Sequence, residues 1–552
     1  MLFPVSASNP HSFNAFFRAV FSACLLLFAM VGCQQQPGYT VSQVDGLSKR
    51  AGFTVLPARV AEKTFTLPVE AGRQAWLLVG NGSEEARTVS VTGAQPASVT
   101  LPPKQWQVVA LQTERASLQM DWPAGELYFG DLYVLPEQAK DAHNILLISV
   151  DTLRADRFEA ATMPGLTAFY EKGLRFERAY TTAPWTLPAH ASMLTGYTPA
   201  RHGVREPEQY LSRETTTLAE RLQLQGYFTV GLTEGNYMAE VFGLAQGFHL
   251  YYEDPPFMME QDPSRASRFQ ANLDRLDAVL AEHEDKAPMF VFLHTYEVHC
   301  PYLPHDGLSD PDNLGGTRWL LDNEFGDLTD EHLAHLIKLY DGEVAYTDRL
   351  LTPLVERLAA KGNWTIILTS DHGEEFGEHG GLLHADTLYE EVTRVPLALI
   401  GRGVTEKGRT NDPVSIVDIA PTILNLVGAP ADEQSEGRDL LALPRATTRS
   451  LFAESYFFGP HVPAEDPRLT AVWKAHDKLI QKRNHGQFTA ELYALNADPA
   501  EQKNLSEEDI KKRDALFLFL QDYLAGKAFK AGRLESLSEE QLEVMRSLGY
   551  TE

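Results

Sequence analysis

Short apolar runs separated by turns dominate the first part of the chain. From Phe53 to Pro136, runs such as Ala75–Val79 and Trp106–Leu111 alternate with turns that contain Gly, Pro and Asn. About seven strands at this spacing are typical of a β-sandwich, which we predict over residues 53–140. The aromatic residues of this segment are expected in its core, and a glycan-binding platform is the alternative: Trp76, Trp106, Trp122 and Tyr128.

Beyond the polar stretch Glu137–His143, longer apolar strands alternate with helical segments. The clearest strands are Ile145–Val150, Met289–Leu293, Thr365–Leu368 and Val395–Ile400. Apolar residues from Leu333 to Leu358 recur at helical spacing and indicate a helix with one buried face, defined by Leu333, Ile337, Tyr340, Val344, Leu351 and Leu354. Buried strands alternating with helices predict an α/β fold, a largely parallel sheet flanked by helices. We place this domain at residues 141–440.

The last part of the chain, residues 441–552, is more charged. It has strand-like segments at Lys478–Ile480 and Glu491–Tyr493, followed by polar helices. This pattern predicts a small C-terminal α+β subdomain. Over the whole chain, 48 Lys and Arg residues stand against 75 Asp and Glu residues, a formal charge of −27. Such a field repels the phosphate backbone, so nucleic acid is excluded as a partner.

The N-terminus has the features of an export signal. Arg18 is followed by an apolar run, Ala19–Gly32, that is too short to span a bilayer as a helix. Its end, Met30–Cys33, resembles the lipobox of bacterial lipoproteins. We therefore expect a lipoprotein signal peptide at residues 1–32, a linker at 33–52, and a lipid anchor on Cys33 that holds the protein to a bacterial membrane, facing the periplasm or cell surface. An ordinary core helix is the alternative.

Polar groups follow three of the predicted strands. Asp151 comes directly after Val150, Asp371-His372-Gly373 follows the strand that begins at Thr365, and His294 to His299 follow Leu293. Each group alone is a common turn or helix cap. Ligands of parallel sheets gather at the carboxyl ends of strands, so the three groups together indicate a metal or phosphate site.

Thr186 adds a possible nucleophile. It precedes a helix-compatible run with Pro188 in the first turn. One interpretation is that Thr186 caps this helix. The other is that its hydroxyl lies at the positive end of the helix dipole, is bound to a divalent metal that lowers its pKa, and attacks the substrate.

Three segments carry a resemblance to a known family. Ile145–Asp156, Thr186-x-Pro-x-His190 followed by Leu194–Gly196, and Thr369–Glu374 resemble the sulfatase branch of the alkaline-phosphatase superfamily. The similarity covers roughly residues 144–428. It implies the sulfatase/alkaline-phosphatase-like fold and a metal-dependent hydrolase of esters.

The resemblance also implies roles for particular residues. Asp151, Asp371 and His372 would bind the catalytic metal, with Thr186 bridging it to the ester; these donors suit Ca, Mg, Mn or Zn. His299 matches the histidine that protonates or orients the leaving group.

Two further histidines compete for one role. His384 resembles a histidine that contacts the phosphoryl group or a second metal in phosphoethanolamine transferases, and His379 is the competing choice. For either residue, a surface loop position is the alternative.

The sequence departs from the sulfatase pattern at two places. Thr186 stands where sulfatases carry the Cys or Ser that becomes formylglycine, and threonine cannot form that aldehyde. The Lys and His of the family's sulfate-binding segment are missing from Gly231–Tyr237. Arg154, Arg205 or His190 could compensate, and we take His190 as a catalytic candidate, although Arg154 is expected mainly to brace its loop.

Threonine nucleophiles in this superfamily are typical of phosphodiesterases, phosphonate hydrolases and phosphoethanolamine transferases. We therefore expect a hydrolase of a sulfate or phosphate ester, with phosphodiesters or phosphonates favoured and a covalent threonine intermediate. Its substrate would be a small-molecule, glycan or lipid ester. The alternatives are a phosphoryl transferase to a lipid or glycan, and an inactive glycan-binding lipoprotein.

Overall fold

The structure is a computed structural model that describes most of the chain from residue 64 onward. The described ranges are 49–50, 53–54, 64–134 (without 69–70, 73, 82, 84, 104 and 123–126), 143–253, 268–305, 307–308, 329–445, 449–456, 468–484, 487–526 and 528–533. The predicted signal peptide and the anchor at Cys33 lie outside the described residues, as does nearly all of the predicted linker. No helix within these ranges is long and apolar enough to cross a bilayer.

The first domain is a sandwich of two four-stranded sheets in which every neighbouring pair of strands is antiparallel. One sheet contains, in order, Leu127–Val134, Gln74–Asn81, Gln105–Thr113 and Ala94–Gln95; the other contains Thr64–Pro68, Ser117–Asp121, Arg87–Thr92 and Ser98–Leu101. Alternating residues of the strands, including Leu77, Leu111 and Leu118, meet in its core.

The described tryptophans of the sandwich, Trp76 and Trp122, have buried side chains. The Trp76 ring packs on Phe228 and His283 of the α/β domain at centroid distances of 4.8 and 4.4 Å. Trp122 lies in the sandwich core as predicted, whereas Trp76 packs against the α/β domain; neither side chain is exposed as a glycan platform would be. The side chains of Trp106 and Tyr128 lie outside the described residues.

The α/β domain is built on a nine-stranded sheet. Its strands are, in spatial order, Leu250–Glu253, Phe228–Thr233, Met289–Thr295, Asn144–Val150, Trp364–Thr369, Arg394–Gly401, Leu174–Tyr180 and Gly408–Thr410, with Val414–Ser415 also paired to Leu174–Tyr180. Only Arg394–Gly401 runs antiparallel to its neighbours among these strands. The sheet is therefore mixed. The antiparallel direction of this strand could not be predicted from sequence, because a continuous apolar run such as Val395–Ile400 carries no signal of strand direction.

Helices flank the sheet. The α-helices of this domain are Pro164–Tyr170, Thr186–Thr195, Pro199–His202, Leu218–Leu224, Arg268–His283, Asp330–Ala360, Glu390–Thr393 and Ile419–Leu426, and short 3₁₀ turns span Ala155–Arg157, Asn236–Met238, Glu240–Phe242 and Ile416–Asp418. The predicted long helix is Asp330–Ala360. Its buried face includes Leu336 and Leu339 in place of the predicted Leu333 and Ile337, which are half-buried.

The C-terminal part is a four-stranded antiparallel sheet with one helix packed on it. The strands Ser450–Ser455, Arg468–Lys474, Asp477–Asn484 and Gln487–Ala494 pair in chain order. The helix Ile510–Leu524 places Leu516 and Leu520 against the sheet. Two-residue ladders add Lys49–Arg50 with Phe53–Thr54, Gln209–Tyr210 with Gly532–Arg533, and Glu375–Phe376 with Leu382–Leu383.

Candidate active site

The register of the central sheet brings Asp151 and Asp371 side by side. Ser149 pairs with Thr369 on one side and with His294 on the other, and all three strands run in the same direction. The residues that follow these strands therefore leave the sheet at the same edge. Both aspartates are fully buried there.

Three ligand atoms converge at this edge. Asp151, Asp371 and His372 each offer one atom, and these atoms lie within 4.8 Å of one another. Nε2 of His372 is 3.2 Å from Oδ2 of Asp371 and 3.8 Å from Oδ1 of Asp151. These three atoms are buried and have no hydrogen-bond partner among the described residues. Buried polar atoms are rarely left unsatisfied, and one cation would satisfy all three, so the residues fit a metal ion.

The tautomer of His372 agrees with this interpretation. Its Nδ1–H donates to the Gly373 carbonyl at 2.9 Å. Its Nε2, which faces the carboxylates of Asp151 and Asp371, then carries the lone pair that can bind a metal. A histidine that ligates a metal usually donates its other ring N–H to a carbonyl or carboxylate in the same way.

Thr186 lies beside this group. It is the first residue of the helix Thr186–Thr195, after Trp185 in extended conformation, and its hydroxyl donates to Oδ2 of Asp151 at 3.3 Å. A capping side chain would instead accept from a backbone N–H of the helix. Thr186 therefore faces the aspartate from the positive end of the helix.

His190 lies one helical turn after Thr186 and is fully buried. Its Nδ1 lies 2.9 Å from the Thr186 carbonyl oxygen and 3.6 Å from Oδ2 of Asp371. Its Nε2 lies 2.9 Å from the Ser149 hydroxyl. Both ring nitrogens are thus bonded within the protein, and burial lowers the pKa of His190.

His294 belongs to the site; the sequence placed it in a strand-end group but predicted no individual role for it. Its Nε2 lies 3.2 Å from Oδ2 of Asp151, the oxygen that Thr186 contacts. The signal was its position in the continuous apolar run from Met289, because a polar residue in a fully buried strand needs a buried partner.

His299 and His384 lie together on one side of the cluster. Their ring centroids are 5.0 Å apart, and the His384 ring is 4.4 Å from that of His372. Nδ1 of His384 lies 2.8 Å from Oε1 of Glu374, whose Oε2 accepts from the Tyr302 hydroxyl at 2.6 Å. Glu374 is thus a further member of the group that sequence reasoning did not single out.

His379, the competing choice, is placed elsewhere. Its Nδ1 lies 2.7 Å from Oε1 of Glu391, and its ring stacks on Tyr389 at 3.7 Å. These contacts brace the loop that leads to His384. The structure therefore brings His384, and not His379, to the candidate ligands.

The pKa values of the two aspartates shift in opposite directions. Burial and the neighbouring Asp371 raise the pKa of Asp151 well above its usual range. Burial also opposes ionisation of Asp371, but the imidazoles of His372 and His190 lower its pKa overall. Two buried carboxyls this close favour sharing one negative charge unless a cation is present. Burial further raises the pKa of Glu374 to about 7 and, with His384, lowers that of His299 to about 4.

The arginines considered as compensating cations are held by carboxylates. Arg154 bonds Asp156 and Glu378 and donates to the Glu374 carbonyl at 2.9 Å, which braces the loop as expected. Arg205 donates to both carboxylate oxygens of Glu454 at 3.2 Å.

Comparisons with known proteins place this geometry in a family. The sulfatase family model matches residues 143–429, and the model of the N-sulphoglucosamine sulphohydrolase C-terminal region matches 377–524. Choline-sulfatase of Rhizobium meliloti is 25% identical over 438 residues, which is 66% of this chain and 82% of the relative. Arylsulfatase K of Xenopus laevis is 21% identical over 420 residues, 66% of this chain and 78% of the relative.

Solved structures share the fold at low sequence identity. A protein in complex with its substrate D-glucosamine-2-N,6-O-disulfate superposes with a TM-score of 0.57 and 18% identity, covering 69% of this chain and 97% of that chain. A phosphonate monoester hydrolase from Silicibacter pomeroyi gives a TM-score of 0.54 and 19% identity, covering 69% and 94%. The predicted sulfatase/alkaline-phosphatase-like fold is thereby confirmed. The chain belongs to the sulfatase family of metal-dependent ester hydrolases.

Proposed function

We propose that this protein hydrolyses a sulfate or phosphate ester by attack of Thr186, with a covalent threonine intermediate. The observation that carries the proposal is the contact of the Thr186 hydroxyl with Asp151, beside three buried ligand atoms without hydrogen-bond partners among the described residues. Because threonine cannot become formylglycine, phosphodiesters or phosphonate monoesters are favoured over sulfates.

Asp151, Asp371 and His372, together with the Thr186 hydroxyl, would hold one divalent cation. When bound, this cation would offset the charge of the carboxylates and the ester and would lower the pKa of the nucleophilic hydroxyl. Two carboxylates, one imidazole and one hydroxyl form a mixed oxygen and nitrogen donor set, which suits Mn, Zn, Mg or Ca.

The chain itself prepares Thr186 for attack. The start of the helix places partial positive charge at the hydroxyl, and Oδ2 of Asp151 accepts the hydroxyl hydrogen. His190 bonds the Thr186 carbonyl with one nitrogen and the Ser149 hydroxyl with the other. We therefore assign His190 to positioning of Thr186, a revision of its expected catalytic role.

His299 is our candidate for protonating the leaving oxygen. With a pKa lowered to about 4 by burial and His384, its imidazole is neutral at pH 7 before substrate arrives. The negative charge of a bound ester favours its protonated form, and the proton then passes to the leaving oxygen.

His384 is assigned to the transferred group rather than to the leaving group. The carboxylate of Glu374, fixed by Tyr302, holds Nδ1 of His384 and sets the orientation of its ring. The His384 ring lies 4.4 Å from the ring of His372, so the phosphoryl or sulfuryl group of an ester held at the metal ligands would lie beside it.

We further propose that the protein is exported and lipid-anchored. The support is the apolar run Ala19–Gly32 and the lipobox-like Met30–Cys33. An enzyme tethered in this way would meet small-molecule, glycan or lipid esters at the membrane face.

A matched substrate panel tests the proposed activity. Aryl sulfate, phosphate monoester, phosphodiester and phosphonate monoester are assayed with Ca, Mg, Mn or Zn. We expect turnover of a phosphodiester or phosphonate that is lost in Thr186→Ala and Asp371→Asn. Thr195→Ala is the control, because its hydroxyl lies in the same helix but donates to the Ala191 carbonyl. No turnover of any ester, or full activity of Thr186→Ala, contradicts the proposal.

A further inference from the structure

The turn that carries Asp151 has an unfavourable backbone conformation. The Leu153 N–H donates to the Val150 carbonyl at 3.3 Å and closes a turn in which Thr152 has a φ of 55°. Positive φ is rare for a β-branched residue, and Gly or Asn is usual at the third position of a turn that needs it. Thr152 is fully buried, so its surroundings must hold it in place.

This conformation links the two aspartates of the site. It directs the Thr152 N–H to Oδ1 of Asp371, at 3.3 Å. The backbone N–H of His372 donates to the same oxygen at 2.9 Å. With Oδ1 held from two sides, Oδ2 of Asp371 faces the ligand atom of His372. The turn after Asp151 thus sets the orientation of Asp371.

Tyr340 holds this turn from the long helix Asp330–Ala360. Its hydroxyl donates to the Thr152 carbonyl at 2.8 Å and accepts from the Arg154 N–H at 3.0 Å, so it bonds the backbone on both sides of Leu153. The side chain is fully buried, and its ring packs on Phe376 at 5.0 Å. One oxygen atom therefore satisfies two buried backbone groups of a strained turn.

We propose that Tyr340 is a positioning residue for the metal ligands: its hydroxyl fixes the Thr152 turn and, through that turn, the relative orientation of Asp151 and Asp371. Tyr340 acts through the backbone and does not ligate the cation. The inference rests on the metal site proposed above, and it adds a residue of the long helix to that site.

Mn²⁺ binding to the full chain, measured by calorimetric titration, tests the role of Tyr340 without an activity assay. Tyr340→Phe should weaken Mn²⁺ binding by roughly tenfold or more, the usual effect of removing a group that orients a ligand. Tyr170→Phe is the matched control, because Tyr170 is equally buried and its hydroxyl has no hydrogen-bond partner among the described residues; its Mn²⁺ affinity should equal that of the wild type.

Glycine at position 152 tests whether the effect passes through the turn. Gly adopts positive φ without strain, so in Thr152→Gly the conformation of the turn should depend less on the Tyr340 hydroxyl. Adding Tyr340→Phe to Thr152→Gly should therefore weaken Mn²⁺ binding by a clearly smaller factor than in the wild type. An equal factor in both backgrounds overturns the proposed route. If Tyr340→Phe alone fails to fold, the Thr152→Gly background makes the test by itself: adding Tyr340→Phe there should leave Mn²⁺ binding nearly unchanged, and a loss of roughly tenfold or more overturns the proposed route.

Asp371→Asn separates the two proposals. If it binds Mn²⁺ as tightly as the wild type, the metal site itself is wrong, and the role of Tyr340 fails with it. If Asp371→Asn abolishes binding while Tyr340→Phe binds like the wild type, the metal site stands and only the positioning role is overturned.

Discussion

Nε2 of His294 lies 3.2 Å from Oδ2 of Asp151, and the Thr186 hydroxyl lies 3.3 Å from the same oxygen. The same oxygen of Asp151 therefore contacts a residue of the strand Met289–Thr295 and the first residue of the helix Thr186–Thr195. A hydrogen bond from His294 orients Asp151 and leaves its Oδ1 for the proposed cation. His294 is therefore expected to matter for metal binding without being a ligand itself.

Substitutions at His294 separate orientation from packing. His294→Leu removes the hydrogen bond and should lower metal affinity and kcat/KM by about 10–100-fold, as is usual for groups that orient a ligand. His294→Gln can place an amide N–H near the position of Nε2 and should retain more of both. Metal titration and steady-state kinetics of the two variants make the comparison. Equal losses in the Leu and Gln variants would contradict a role for this hydrogen bond.

Metal removal should destabilise the protein through the same three ligands. A ligand that binds only the folded state, at one hundred times its Kd, stabilises by about 2.7 kcal/mol. Thermal unfolding with chelator and with added metal should show this difference in the wild type. Asp371→Asn should unfold at the same temperature in both conditions. A metal-dependent shift that persists in this variant would place the cation elsewhere.

His202 predicts a loss of stability in mild acid. Its Nδ1 accepts from the Val204 N–H at 3.1 Å, and burial together with Arg205 lowers its pKa to about 3. The unfolded chain binds the proton below pH 6.5, whereas the folded chain resists it down to about pH 3. The free energy of unfolding therefore does not depend on protonation of His202 well above pH 6.5, and it should fall by roughly 2 kcal/mol by pH 5 because the unfolded chain gains the proton.

Urea unfolding at the two pH values checks the role of His202. His202→Gln should lose less stability than the wild type between pH 6.5 and pH 5, whatever its absolute stability. His476→Gln is the control, because His476 is exposed. An identical pH dependence in His202→Gln would contradict the assignment.

Lys478 should anchor the C-terminal subdomain. Its fully buried ammonium lies 2.8 Å from Oε1 of Glu501 and 3.2 Å from Oε1 of Glu390. Lys478→Met leaves these carboxylates without their cation and should lower the free energy of unfolding by about 3–5 kcal/mol. Lys503→Met removes an exposed ion pair with Glu508 and should change the free energy of unfolding by less than about 1 kcal/mol. Similar urea midpoints for the two variants would contradict the prediction.

The residues at strand ends could be predicted from sequence because strand ends share one edge of the sheet. Asp151, Asp371 and His372 lie there as expected, and Thr186 and His384 join them. The contacts of His190 could not be foreseen, since they depend on Ser149 of another strand.

The remaining differences concern features without a local sequence signal. Strand direction at Val395–Ile400 is set by long-range pairing, and the buried face of Asp330–Ala360 by the neighbours it meets. Tyr340 looks in sequence like one more apolar position of that helix. Only the fold shows that its hydroxyl reaches the turn after Asp151.

Mass spectrometry of the protein quenched during turnover of a slow phosphodiester or phosphonate tests the central claim most directly. We predict a phosphoryl or phosphonyl adduct on the peptide that contains Thr186, absent from Thr186→Ala, which should also be inactive. Steady turnover with no adduct on this peptide, together with activity retained in Thr186→Ala, would contradict nucleophilic attack by Thr186.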